Sequence, residues 1–188
     1  MLFRSRLRLF RDQRKVNMTL SAIAKELDIR VGTPEDVHDV MDLALTACEE
    51  NAFVKPNPSR LLEDIWPALN LEKGLMGIIG TPNHLEGLVL LRLGKMWYSD
   101  QDVVEEKAIF IYPEFRNAKG GRARRLCEFS KRVADSLKIP LIIGVLSNHR
   151  TAAKVRLYER QFGPSAGAFF LYNAHTGLTE ENNNGRQN

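Results

Sequence analysis

The chain has 188 residues, 44% of them hydrophobic and 27% charged, with a formal net charge of +4 at pH 7. That balance fits one soluble globular domain able to bury its own core, and no apolar run approaches the ~20 residues of a membrane-spanning helix. Two cysteines without a CxxC pair argue against a disulfide scaffold and for a reducing, cytoplasmic setting, and four histidines without ligand spacing suggest no metal site.

The charge is uneven. "MLFRSRLRLFRDQRKVN" holds six basic residues and one acid, so residues 1–17 carry +5 and the rest of the chain −1. Three readings of this basic extension stay open: an arm for nucleic acid or an anionic surface, an amphipathic or targeting segment, and a plain flexible extension ahead of Met18. The globular domain is expected over 18–173, followed by a polar, Asn-rich, disordered tail over 174–188.

"LDIRV" predicts a short strand. In "TPEDVHDVMDLALTACEEN", Thr33 is placed as N-cap, Pro34 opens the helix, and Val37, Val40, Met41, Ala44, Leu45 and Cys48 keep one apolar face. "SRLLEDIWPALN" predicts a second helix that Pro67 kinks or ends. "GLMGIIG" and "LEGLVLLRLGKMWYS" read as a hairpin around "TPNH", and "VVEEKAIFIYP" as a fourth strand stopped by Pro113.

The longest helix is expected over 120–138, with Ala123, Leu126, Cys127, Ser130, Val133, Ala134 and Leu137 in a buried stripe and Arg124 and Arg125 on its exposed face. "PLIIGVLS" reads as a central strand covered on both faces. "TAAKVRLYERQFG" predicts the last helix, stopped at Gly163, and "GAFFLYN" a closing strand. The order predicts an α/β (α+β) domain with six or seven strands and about four helices.

The chemistry concentrates in "YPEFRNAKGGRARRL". A strand ends at Pro113 and a helix begins near Gly120, so its first turn offers unpaired N–H groups and the positive end of the helix dipole. Adjacent glycines let an anion approach the backbone, and Arg116, Lys119 and Arg122 add charge: a phosphate cradle. It is neither a Walker loop nor a dinucleotide fingerprint.

These residues resemble the coenzyme A signature Q/R-x-x-G-x-G/A of the GNAT superfamily of N-acetyltransferases, with Arg116 first, Gly121 last and Lys119 where a glycine is usual. "NHRTAAKVRLYERQFG" is similar to the family's second signature, through Asn148, Leu157 and Tyr158. The likeness runs over about 27–172, and "YPEFR" and "RTAAKVRLY" resemble small acetyltransferase-like proteins of tailed phages, whose setting is the host cytoplasm.

The resemblance implies a mixed, mostly antiparallel sheet with splayed fourth and fifth strands, and direct acetyl transfer from acetyl-CoA to a primary amine without a metal. The pantetheine arm would pair with the fourth strand around Ile109 and Ile111. The pyrophosphate would sit on Arg116, Asn117, Ala118, Lys119, Gly120, Gly121 and Arg122, with Asn148 near the thioester. Tyr158 would protonate the leaving thiolate, and Glu105 or Glu106 would be the base, Glu105 being preferred. Adjacent strand residues face opposite sides, so one of the two enters the cleft.

Plainer roles stand beside these. Tyr158 shares a helical face with Ala152, Val155 and Phe162 and fits a core position, and His149 fits a loop. Trp97 and Tyr98 fit hairpin packing or an acceptor wall, while Glu49, Glu50 and Asp64 sit where a cationic amine would approach. A non-catalytic GNAT-like protein binding a macromolecule through the basic N-terminal arm, and nucleic-acid binding through "YPEFRNAKGGRARRL" itself, remain as alternatives. One strand after the last helix, where the family often has two, suggests a homodimer.

Overall fold

The computed structural model describes residues 13–116, 120–147 and 149–172, with side chains from residue 20 onward. The described elements are α1 (Gln13–Glu26), β1 (Arg30–Val31), α2 (Val37–Asn51), α3 (Pro58–Leu69), β2 (Gly74–Thr81), β3 (His84–Lys95), β4 (Asp102–Ile111), α4 (Arg122–Leu137), β5 (Leu141–Ile142) and α5 (Thr151–Phe162). They form one five-stranded sheet in the order β1-β2-β3-β4-β5, antiparallel except for the β4–β5 pair. Thus five strands and five helices replace the expected six or seven and four.

Local chemistry accounts for most boundaries. Thr33 precedes a 3-10 turn, Pro34–Asp36, that leads into α2. There Asp36, buried at 2% exposure, grips Arg30 through two 2.7 Å bonds and accepts the Thr33 amide. Burial opposes the Asp36 charge, but Arg30 and the Thr33 amide outweigh it and hold the carboxyl below its ordinary value. Asn57 caps α3, accepting from the Ser59 amide at 2.9 Å, and Pro67 falls in the last turn, where it shortens the helix little.

The two sheet faces bury separate clusters. α1 and α4 cover one with Leu20, Ala24, Leu126, Phe129 and Val133 against Leu75, Val89 and Leu91. α2 and α3 cover the other with Val40, Leu43, Ile65 and Leu69 against Met76, Ile78 and Leu88. Gly77 lets the Phe129 ring lie on the sheet, since a Cβ there would stand 2.7 Å from two ring carbons. Phe129 is fully buried, so Phe129→Ala is expected to cost about 3–5 kcal/mol, read as a fall in urea midpoint at unchanged slope.

Three departures from the sequence expectation have physical causes. α1 crosses the boundary set at residue 17, because Leu20 and Ala24 recur at helical spacing and bury on α4; Arg132 secures the contact with two bonds to Glu26 at 2.6 and 2.9 Å. "PLIIGVLS" is no central strand: only Leu141 and Ile142 pair, at the sheet's edge. "GAFFLYN" forms no strand over its described residues 167–172: no described strand pairs with it, and Phe170 and Tyr172 are exposed. Trp97 and Tyr98, 94% and 67% exposed, stack edge-to-face at the β3–β4 turn and pack into neither core cluster.

Candidate active site

The site grows from a mismatch of length. β4 runs ten residues, but β5 pairs with it only at Val104–Leu141 and Glu105–Ile142. Beyond that point the two backbones part. On the other edge of β4 the register slips, so that Lys107 is an extra residue between Glu106, opposite Leu91, and Ala108, opposite Leu90. Such a bulge bends and twists a strand. The gap is a cleft of about 490 Å³ between β4, residues 142–147 and α5.

Glu105, Glu106, Ile109 and Tyr158 all line this cleft, so four of the expected site residues are brought together. The two glutamates start from opposite faces of β4, yet both border the cleft, where only one was expected to enter it. Glu105 lies across from Arg92, whose guanidinium binds Asp64 on α3 at 2.6 Å, and pairs with Lys107 at 3.0 Å. Glu106 lies across from Leu91, in the cluster under α4. Burial pushes the Glu106 carboxyl up to about 7, and the neighbouring Glu105 charge adds to it despite a hydrogen bond donated by the Gly144 amide.

Tyr158 projects from α5 with its ring edge-to-face on Phe162 at 5.8 Å. Burial, then the Glu106 charge, raises its phenol well above the ordinary value, so the hydroxyl keeps its proton at neutral pH. Cys127 on the same side is pushed up to about 12, again by burial first and Glu106 second, which leaves it an inert thiol.

Some expected residues are engaged elsewhere. Arg116 forms a fork with Glu50 at 2.8 and 2.6 Å, donates to the Ile111 carbonyl at 2.8 Å and lies over the Phe110 ring. Its guanidinium therefore ties α2 to the β4–α4 turn. Ile111 is buried with that carbonyl occupied. Arg122 binds Glu86 and stacks on Phe115, and Arg125 reaches Asp28 at 2.6 Å, whereas Arg124 is exposed. Glu50 and Asp64, expected near a cationic amine, are both committed to arginines. His149 stands 3.8 Å from Glu50. Asn117, Ala118, Lys119 and Asn148 lie outside the described residues.

What remains at the cradle is backbone. Gly121 takes φ +57°, which favours glycine, and a Cβ there would meet nothing within 4 Å; Gly120 would meet only the tip of Arg122. Among the described residues no side chain caps the 16-residue α4, and a helix start of this kind offers its first amides to an anion.

Lys154 escaped the sequence reading. It enters the cleft one helical turn before Tyr158, bonds Asn51 on α2 and reaches the Ser147 hydroxyl at 2.7 Å. Its spacing from Tyr158 was the available signal. Among the described residues no cluster of three metal-binding side chains occurs, and no helix is long and apolar enough to cross a membrane.

No family model matches the sequence, and no curated protein matches it. Solved structures do share the fold. The aminoglycoside N-acetyltransferase AAC(6')-Iy, solved with CoA, is 16% identical over 77% of this chain and 92% of that one, with a TM-score of 0.60. The ribosomal-protein-alanine N-acetyltransferase of Brucella melitensis biovar Abortus 2308 is 15% identical over 77% of this chain and 96% of that one, with a TM-score of 0.54. A probable acetyltransferase is 17% identical over 77% and 94%, with a TM-score of 0.55. The chain thus shares the α+β fold of these solved acetyltransferases. Likeness at this identity speaks to the fold, and the chemistry rests on the cleft.

Proposed function

We propose that the protein is an N-acetyltransferase that moves an acetyl group from acetyl-CoA directly to a primary amine. The observation that carries this reading is the β4–β5 cleft, whose lining includes both the Glu106 carboxyl and the Tyr158 phenol. The pantetheine arm would lie along the unpaired part of β4 by Ile109, with the pyrophosphate on the amides around Gly120 and Gly121.

Glu106 is assigned as the base and Tyr158 as the acid. A base works best with a pKa near the working pH, and Glu106 meets that condition, whereas Glu105 is held in an ion pair with Lys107. The proton leaves the ammonium through water to Glu106, the amine attacks the thioester carbonyl, and Tyr158 protonates the departing thiolate. The reading extends to an enzyme at work in the cytoplasm, of a host cell if the phage-like wording marks its origin.

Thermal unfolding tests the cradle. Acetyl-CoA at a hundred times its Kd is expected to stabilise the native state by about 2.7 kcal/mol, a rise of roughly 5–10 °C in Tm. Gly121→Asp is expected to abolish the rise, since aspartate tolerates the left-handed backbone but sets a negative charge against the phosphates. An equal shift in that variant would place the ligand elsewhere.

A further inference from the structure

We propose that the amine acceptor is a free α-amino acid with an apolar side chain, its charged end held by the Glu105–Lys107 pair and its side chain in a chamber beneath α2 and α3. This rests on the acetyl-transfer reading above. The chamber measures about 530 Å³ and lies between α2, α3 and the sheet, with Val40, Leu43, Leu61, Met76, Leu90 and Phe110 in its wall. That volume is in the range of small-molecule sites and admits an aromatic or long aliphatic side chain. A hydrocarbon gains by entering such a wall, whereas hydroxyls and ammonium groups would be left without partners.

The charges around the chamber select further. Lys55, Arg60 and Lys107 line it with a single carboxylate, Asp64; Arg92 holds Asp64 at 2.6 Å, Glu63 holds Arg60, and Glu105 lies 3.0 Å from Lys107. A polycation finds no free acid there. Three cations to one acid in the lining favour an acceptor bearing a carboxylate, so the chamber is unlike a receptacle for aminoglycosides, the acceptors named for AAC(6')-Iy.

The position of Lys107 decides where that carboxylate sits. The bulge sets Lys107 at the junction, where it lines both the apolar chamber and the β4–β5 cleft together with Ala47, Cys48 and Ala108. Its ammonium lies 3.0 Å from Glu105, and both side chains keep partial access to solvent. An α-amino acid carries its ammonium and carboxylate on one carbon, so it matches this pair charge for charge. Glu105 takes the ammonium, Lys107 the carboxylate, and the side chain turns into the chamber.

The reaction then balances. The ammonium gives one proton through water to Glu106, and the nitrogen lone pair forms a bond to the thioester carbonyl carbon. The carbon–sulfur bond breaks and the thiolate takes the Tyr158 proton, the second proton that the nitrogen sheds on becoming an amide returns to the Tyr158 phenolate, and Glu106 gives its proton to solvent, leaving an N-acetyl amino acid and CoA.

The test has two arms. Equilibrium dialysis of radiolabelled L-phenylalanine against the full chain without acetyl-CoA reads the chamber alone. Saturable binding is expected, weakened roughly 10- to 100-fold in Lys107→Met, the loss of one charge-assisted contact, and blocked in Ala44→Phe, which fills the chamber. In the second arm, thiol release with acetyl-CoA compares L-phenylalanine, L-phenylalaninamide, phenethylamine and an aminoglycoside. L-Phenylalanine is expected to lead in kcat/KM by at least about tenfold, and Lys107→Met to shrink that lead. Absence of saturable L-phenylalanine binding, or a preference for the aminoglycoside or the amide, overturns the proposal. A protein that acetylates other amines but not L-phenylalanine retains the acetyltransferase reading and loses this one; a protein that binds L-phenylalanine but shows no acetyl-CoA shift loses the acetyltransferase reading instead.

Discussion

Glu106→Gln is expected to lower kcat roughly 10²–10⁴-fold and to remove the rise of activity with pH through about 7. Burial is the main cause of that raised pKa, and the Glu105 charge adds to it. Only the ionised carboxylate accepts a proton, so wild-type activity climbs as pH passes the folded value. A steady-state profile from pH 5.5 to 9 reads both effects. A variant with wild-type kcat and an unchanged profile would pass the role to Glu105.

The same carboxyl makes a stability prediction of opposite sense. It binds its proton more tightly in the folded chain than at its ordinary value of 4.5. Its stabilising share is therefore complete below about 4.5 and is lost as pH rises through about 7, a difference of about 3 kcal/mol. Glutamine stays neutral throughout. The variant is thus expected to melt higher than wild type at pH 8, with a much smaller gain at pH 5. Gain in stability with loss of turnover is the signature of a strained catalytic group.

Tyr158→Phe is the second large effect. The phenol stays protonated at neutral pH, and the ring sits edge-to-face on Phe162. Phenylalanine keeps that packing and removes the proton donor alone. Turnover is expected to fall about 10²-fold or more while the affinity for acetyl-CoA and the Tm stay nearly unchanged. Steady-state kinetics with a dialysis Kd separate the two quantities. A parallel loss of affinity would make Tyr158 a packing residue.

The sites most legible in the sequence were those whose chemistry is local. A strand, a stop at Pro113 and paired glycines are neighbours along the chain, so the open amides of α4 follow from order alone. The choice between Glu105 and Glu106 was not legible, because alternation says that the two oppose each other but not which face is which. That depends on the Lys107 bulge and on which helix covers each face. The partners of Arg116 and Arg122 were hidden for a related reason. Their charge was visible, but Glu50, 66 residues from Arg116, and Glu86, 36 residues from Arg122, were not visibly their partners.

The sequence by itself determined the succession from β1 to α5, the turn glycines and the apolar faces, since periodicity, caps and φ restrictions act within a few residues. Tertiary structure decided the extent of β5, the exposure of residues 169–172, the helix over Gln13–Glu26 and the pKa of Glu106. Each of those depends on what another part of the chain brings alongside: a backbone to pair with, an apolar surface to cover, or a burden of desolvation to impose. An apolar run such as "PLIIGVLS" is the same whether it fills a sheet or lines a cleft, and only its neighbours in space distinguish the two.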